Sequence, residues 1–469
     1  MKTTAGSEAI RQRTTKDIIQ LSMGAGMAEL IGAMLTALLN YYYVRTMGLS
    51  NSYFFVAQTI YAVYIAFAEP FIGYYTNRRF RFTAKLGKTT PFILLGGLFT
   101  LVSAILVYLT PLRAQLGLFF WMLGTLALSS TFFSMYNVNY QSLLPVVLQD
   151  KGQRIKYGTI SVIFGTTFMI IGFIIPEFGD ITSQSGYITP MLITAGLGIA
   201  LLLGLLPAAR EEPALTRELL RKDGGGAGTF FSAMGQLVRM KNFLVYILLF
   251  LAFQIISLTA LSSLPYFAEY VMGMPLDQIN STRTLLVLVE FAGVFVSLPI
   301  WSRLAKKHEF KSILGYCGIA LALSCSPMLF LSSLPALLVS FAFLGLSVGG
   351  FWSLLTPVFN DIMDEASYLS GGHMGGVSAG VRTFFARFAL VAQAGIYLVV
   401  REVTGFVPGE MSAAAATPAI RFGIRFEMVG VSIILLVLTS VIFLIKYDLT
   451  GDKFKEIKRA LEERSASAQ

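Results

Sequence analysis

Apolar runs of about 20 residues, the length an α-helix needs to cross a bilayer, recur along the chain between short polar breaks. They centre on residues 20–44, 52–74, 90–109, 116–146, 157–176 and 187–207, then on 243–268, 281–301, 312–331, 333–356, 376–400 and 424–446. The pattern predicts an all-α polytopic membrane protein with twelve transmembrane helices in two six-helix bundles, 1–207 and 243–446. Between them, 208–242 reads as a cytoplasmic connector: charges alternate from Arg210 to Asp223 and Gly224 to Gly226 follow, as in a solvated helix with a flexible linker. Residues 447–469 read as a polar cytoplasmic tail.

The distribution of cations gives these helices a direction. Both termini and the loops after even-numbered spans hold 28 Lys and Arg, against 6 in the loops after odd-numbered spans, so both ends are expected in the cytoplasm. The net charge of +10 then reports orientation and contact with anionic lipid, not nucleic-acid binding. Hydrophobic residues make up 55% and charged residues 13%, about half the charged share of a soluble domain. The polar start through Lys16 lacks the short apolar region of a removable signal, so the first span is expected to stay in the membrane. Cys317 and Cys325, on one apolar segment, read as small core residues.

Within the apolar runs a few ionisable residues stand out, and each is a functional candidate because a charge at that depth is costly unless paired or facing water. Glu69 interrupts AFAEPFIGYY just before Pro70, and a basic loop with Arg78, Arg79, Arg81, Lys85 and Lys88 follows. Glu290 lies mid-span in LVLVEFAGVFV; it is expected to face a cavity, pair with a cation such as Arg382, or remain protonated. Gln254, Asn139 and Tyr140 read either as cavity liners or as interhelical hydrogen-bonding groups. Tyr266, Tyr270 and Trp301, near span ends, read as interfacial anchors. No ATP-binding GxxxxGK[ST] motif occurs, both histidines (His308 and His373) fall in predicted loops, and no catalytic constellation is found. An enzyme and a cofactor are therefore not expected.

Several motifs, taken in order, resemble the glycoside-pentoside-hexuronide:cation symporters of the major facilitator superfamily, the family of melibiose permease. They are Tyr41-Tyr42-Tyr43 with Gly48-Leu49-Ser50, Glu69-Pro70 with Gly73, Asn77-Arg78, Gly87-Lys88 and Pro91, Ser142-Leu143-Leu144-Pro145 before Arg154, Asn360-Asp361 with Asp364, Gly371 and Gly372, and Tyr447-Asp448-Leu449-Thr450. The resemblance implies secondary transport of a sugar or glycoside by proton or sodium symport with alternating access, in a bacterial inner membrane. A monomer is expected.

Carried over position by position, the family's cation site falls on Ile65, Ala68, Glu69, Ser134 and Arg387. One of its two carboxylates is lost and the amide is replaced, so the oxygen set expected for sodium is thinned. Glu69 with Arg387 is open to three readings: a proton-coupling pair, a fixed salt bridge, or a residual metal-cation site. The substrate positions fall on Glu29, Asn137, Gln141, Trp352 and Thr383, and the family's arginine on Val162. Glu29 and Trp352 retain the carboxylate and the aromatic face that hold a saccharide. A cytoplasmic gate is expected between Arg78 and Arg79 on one side and Asp361 and Asp364 on the other. Two other functions remain open: transport of a lysolipid or similar amphipathic solute, and solute sensing without translocation.

Overall fold

The computed structural model describes residues 13–76, 80, 83, 87–148, 150–211, 232, 234–370, 375–407 and 411–467. Among them there is no strand, and twelve helices are long and apolar enough to cross a membrane. These helices are α1 (Thr15–Asn40), α2 (Asn51–Thr76), α3 (Thr90–Tyr108), α4 (Gln115–Val147), α5 (Lys151–Ile174), α6 (Ile188–Ala209), α7 (Lys241–Tyr266), α8 (Ile279–Lys307), α9 (Phe310–Cys325), α10 (Leu334–Ser370), α11 (Gly375–Thr404) and α12 (Pro418–Lys446). A thirteenth, α13 (Gly451–Ser467), is the amphipathic tail. The all-α reading and the number of spans are thus observed. The described residues form two compact units, one drawn from Met1–Tyr42 and Val63–Ala227, the other from Tyr43–Ala62 and Gly228–Gln469.

In the first unit α1 is the central helix, packed on α5 and α6, while α3 lies against α4 and α6. Hydroxyls fasten α4 to α1: Tyr136 donates to the Gly24 carbonyl at 2.7 Å, and Tyr140 to that of Leu21 at 2.7 Å. A buried backbone carbonyl has a spare lone pair, so each bond satisfies a phenol without breaking a helix. Glu211, just after α6, caps α3: its carboxylate accepts the N–H groups of Lys88, Thr89 and Thr90 and the Thr89 hydroxyl. Those N–H groups have no partner inside the helix, and the helix dipole favours an anion there.

In the second unit α8 and α10 pack closely, with a Cβ on Gly345 falling 2.0 Å from the Glu290 carbonyl oxygen. Only glycine allows the two backbones to approach so far. At 37 residues, α10 is about 55 Å long, well beyond the roughly 30 Å apolar core. Its final turns carry Asp361, Asp364 and Glu365, which the sequence placed in a loop. Helix continues because Ile362, Met363 and Ala366 keep an apolar face buried at helical spacing. Glu365 accepts from Asn242 Nδ2 at 2.9 and 3.0 Å and pairs with Lys453 of α13 at 3.1 Å. Lys453 also reaches Asp448 at 2.7 Å, so the tail helix is braced to α7 and α10.

Tyr266 and Tyr270 are buried, not interfacial. Tyr266, Tyr397 and Phe406 form an aromatic box around the Arg401 guanidinium, which lies 4.4 Å from the Tyr266 ring centroid and 4.6 Å from that of Tyr397, and Tyr270 packs edge-on against Phe406. Arg401 also forms a bidentate pair with Glu427 through Nε at 2.9 Å and Nη2 at 2.8 Å. Both side chains are essentially fully buried, at 1% and 0% exposure. Cys317 and Cys325 are free, buried core residues, as expected.

Candidate functional site

α2 and α4 run in the same direction through the first unit, and two contacts align them. Tyr64 Oη lies 2.6 Å from Thr131 Oγ1, and further along a Cβ on Gly73 would be 3.4 Å from Val138 Cγ1. Between those levels lie Glu69 on α2 and Ser134 on α4. Glu69 is half-buried, next to the buried Ile65 and Ala66. Pro70 offers no N–H to the Ala66 carbonyl, so the ladder opens one turn before the acid. Ser134 is 2% exposed and its hydroxyl has no hydrogen-bond partner among the described residues. Serines in membrane helices ordinarily donate to the carbonyl four residues back, as Thr131 does to Ala127 at 2.7 Å. Leaving a buried hydroxyl unmatched costs about 1–3 kcal/mol.

Asn137, half-buried, and Gln141, exposed, continue the Ser134 side of α4 at helical spacing. Glu29 is exposed on α1 and points towards α5, its Cγ 3.4 Å from where a Gly165 Cβ would lie. Val162 is 63% exposed, so an apolar surface stands at the family's arginine position. Asn139 and Tyr140 serve packing: Asn139 donates to the Met135 carbonyl at 2.8 Å, and Tyr140 pairs with Tyr157 as well as α1.

The remaining positions belong to the second unit. Trp352 on α10 is 39% exposed, with its ring centroid 6.1 Å from that of Phe291. One turn on, Thr356 accepts from Arg382 Nη1 at 3.2 Å, and the Arg382 guanidinium lies 5.6 Å from the Phe359 ring centroid. Thr383 and Arg387 on α11 are half-buried. Arg382 is therefore directed at α10 and does not pair with Glu290. The Glu290 carboxylate, half-buried on α8, makes no hydrogen bond or ion pair among the described residues. Of the expected cytoplasmic gate, Asp361 and Asp364 lie on α10, while Arg78 and Arg79 fall outside the described residues.

Sequence reasoning missed two charged pairs in the second unit. Besides Arg401–Glu427 there is Arg45–Glu269, with Arg45 Nη2 2.6 Å from Oε1 and Nε 3.1 and 3.2 Å from the two carboxylate oxygens. The available signal was an arginine near a span end, which in an apolar setting demands an acid.

The MFS/sugar transport protein family matches residues 21–451. An uncharacterized symporter, YnaJ, of Bacillus subtilis (strain 168) is 23% identical over 98% of this chain and 97% of its own. The sodium-dependent lysophosphatidylcholine symporter 1 of Xenopus tropicalis is 21% identical over 85% of this chain and 81% of its own. Among solved structures, a bacterial homolog of the human lysosomal transporter Spinster, inward-facing and unoccupied, superposes with a TM-score of 0.69 at 13% identity, covering 94% of this chain and 97% of that one. The nucleoside transporter NupG gives 0.65 at 11% identity, covering 93% and 100%. The structural likenesses report the fold; the family match extends over nearly the whole chain, and the protein is a multi-pass membrane transporter belonging to the MFS/sugar transport protein family.

Proposed function

We propose that the protein is a secondary active symporter in which Glu69 takes up the coupling cation, a proton or sodium, and a sugar or glycoside is moved with it by alternating access. The observation that carries this reading is the half-buried Glu69 at the depth of the Ser134 hydroxyl, which has no hydrogen-bond partner among the described residues, beside the opened ladder at Pro70. An acid, a free hydroxyl and a released carbonyl form a short oxygen set, thinner than the shells of hard metal cations. A proton, or a sodium ion that keeps some of its water, suits such a set. In this reading Arg387 is the switchable partner of Glu69 and Glu290 a second coupling acid. Glu29, Asn137, Gln141, Trp352 and Thr383 receive the solute, and Arg78, Arg79, Asp361 and Asp364 close the cytoplasmic side.

A second reading, transport of an amphipathic solute such as a lysolipid, is favoured by the exposed Val162 and by the relative named for lysophosphatidylcholine. Uptake into proteoliposomes separates these possibilities. Radiolabelled glycosides and lysophosphatidylcholine are offered in turn, with an imposed proton or sodium gradient, to the parent and to Glu69→Gln. Gradient-driven accumulation of a glycoside that vanishes in Glu69→Gln supports the proposal. Accumulation unaffected by Glu69→Gln refutes the coupling role, and uptake of lysophosphatidylcholine alone moves the assignment to the second reading.

A further inference from the structure

The ends of α1 and α7, both on the face opposite the termini, are built to one plan. Each helix widens into a π-helical turn, Tyr41–Thr46 after α1 and Phe267–Val271 after α7. A glycine in the left-handed region follows each, Gly48 at φ +73° and Gly273 at φ +68°. The next N–H then reaches back to a carbonyl, Leu49 to Tyr43 at 2.8 Å and Met274 to Ala268 at 3.0 Å. The same offset along the chain separates Tyr43 from Ala268, Gly48 from Gly273 and Leu49 from Met274, so the two ends share one local geometry. Such π turns re-aim side chains and occur often at functional positions. Here they present Arg45 and Glu269 to each other.

The hairpin tip Tyr43–Ala62 belongs to the second unit, although the two helices it joins lie mostly in the first. Contacts within the second unit hold it, among them the following. Arg45 forms the bidentate pair with Glu269, Arg401 Nη1 donates to Asn51 Oδ1 at 3.3 Å, and the Phe55 ring lies 3.5 Å from where a Gly395 Cβ would stand. The two ion pairs differ in character. Arg401 and Glu427 are both sealed, whereas Arg45 keeps 22% of its side chain exposed beside a Glu269 that is 3% exposed. An arginine that is already partly exposed is hydrated more readily when its partner leaves than a sealed one, which suits a contact that opens. An interface that holds in one of two discrete arrangements is the element from which switching transitions are built.

We propose that Arg45–Glu269 is a latch that holds the α1–α2 hairpin tip closed on the face opposite the termini and opens once in each transport cycle. It deepens the alternating-access part of the proposed function and rests on that reading. The test uses the full-length protein in proteoliposomes, with Cys317 and Cys325 replaced by alanine and Gln58→Cys as reporter. Gln58 is 4% exposed within the held tip. A membrane-impermeant maleimide is added from the face opposite the termini, without solute. Glu269→Gln and Arg45→Gln should speed labelling about tenfold, the loss of one charged hydrogen-bonding pair. The exchanged variant Arg45→Glu/Glu269→Arg should label near the parental rate. Arg45→Lys, which keeps the charge but loses the fork, should fall between. Parental labelling in the single variants, or an exchanged variant as fast as they are, overturns the latch. The exchanged variant also serves if a single one folds poorly. Labelling reads conformation alone, so its failure leaves the Glu69 uptake result standing, and a failed uptake result leaves the labelling rates as measured.

Discussion

Removing Glu427 should cost far more than removing Arg401. The pair has two charged hydrogen bonds, at 2.8 and 2.9 Å, between side chains at 1% and 0% exposure. Each such bond contributes about 1.5–3 kcal/mol, and breaking a buried pair from one side costs about 3–5 kcal/mol. Glu427→Gln strands a guanidinium that cannot shed its charge, leaving it among neutral groups such as the Asn51 amide oxygen and the aromatic faces of Tyr266 and Tyr397. The full loss of about 3–5 kcal/mol is therefore expected. Arg401→Gln strands a carboxyl, which can take up a proton and become neutral, so its loss should be smaller. Arg401→Leu/Glu427→Leu removes both charges and should lie closer to the parent than Glu427→Gln does. Equilibrium unfolding in mixed micelles with increasing dodecyl sulfate measures all of these. Equal losses in the two single variants, or a loss below about 1 kcal/mol in Glu427→Gln, the range of an ordinary exposed pair, would refute the view that a sealed, uncompensated charge decides the outcome.

Ser134→Ala should leave stability unchanged or raise it slightly, because the hydroxyl has no partner to lose among the described residues, while cation-dependent uptake falls; a drop in unfolding midpoint with intact uptake would make Ser134 a packing residue. Gly345→Ala would set a Cβ 2.0 Å from the Glu290 carbonyl oxygen and should destabilise the second unit by about 1–3 kcal/mol through overpacking, whereas no loss in thermal unfolding would show that α8 and α10 are free to separate. At the tail, burial would raise the Asp448 carboxyl, but hydrogen bonds from Lys453, Asn242 and Lys241 and the Lys453 charge together hold it well below the usual carboxylate range. A depressed native value stabilises above the unfolded value of about 3.9 and loses that effect as pH falls towards the native one. Asp448→Asn should therefore melt below the parent at neutral pH and converge with it below about pH 4; a constant gap across the titration would deny the brace.

Spans were legible because a bilayer imposes a length, and a run of about 20 apolar residues satisfies it whatever lies next to it. Where helices leave the membrane that constraint ends. α10 continues through Asp361 and Glu365 on a buried stripe of Ile362, Met363 and Ala366, a spacing partly hidden by the acids between them. Of the six cations that oppose the positive-inside bias, three are structural: Arg283 and Arg401 are buried and Arg45 is paired. Glu269 lies 224 residues from Arg45 in sequence, and periodicity carries no record of such a pairing. Tyr266 and Tyr270 failed as anchors for the same reason: Tyr266 faces the Arg401 guanidinium of α11, and Tyr270 packs on Phe406, another ring beside that guanidinium. Within the candidate site, Glu69 announced itself as an acid in an apolar run. The Ser134 hydroxyl could be identified as unpartnered only once the α2–α4 register was fixed by Tyr64 and Thr131.

The central claim, that Glu69 couples a cation to a sugar-like solute, is met most directly by thermal unfolding of the purified protein against glycosides, hexuronides and lysophosphatidylcholine. Each is tested with and without sodium, at mildly acid and mildly alkaline pH, in the parent and in Glu69→Gln. A ligand that binds only the folded state raises the midpoint by mass action. The account predicts that a glycoside or hexuronide stabilises the parent, more strongly with sodium or at acid pH, and that Glu69→Gln abolishes this cation dependence. The same cation dependence in Glu69→Gln as in the parent would contradict it.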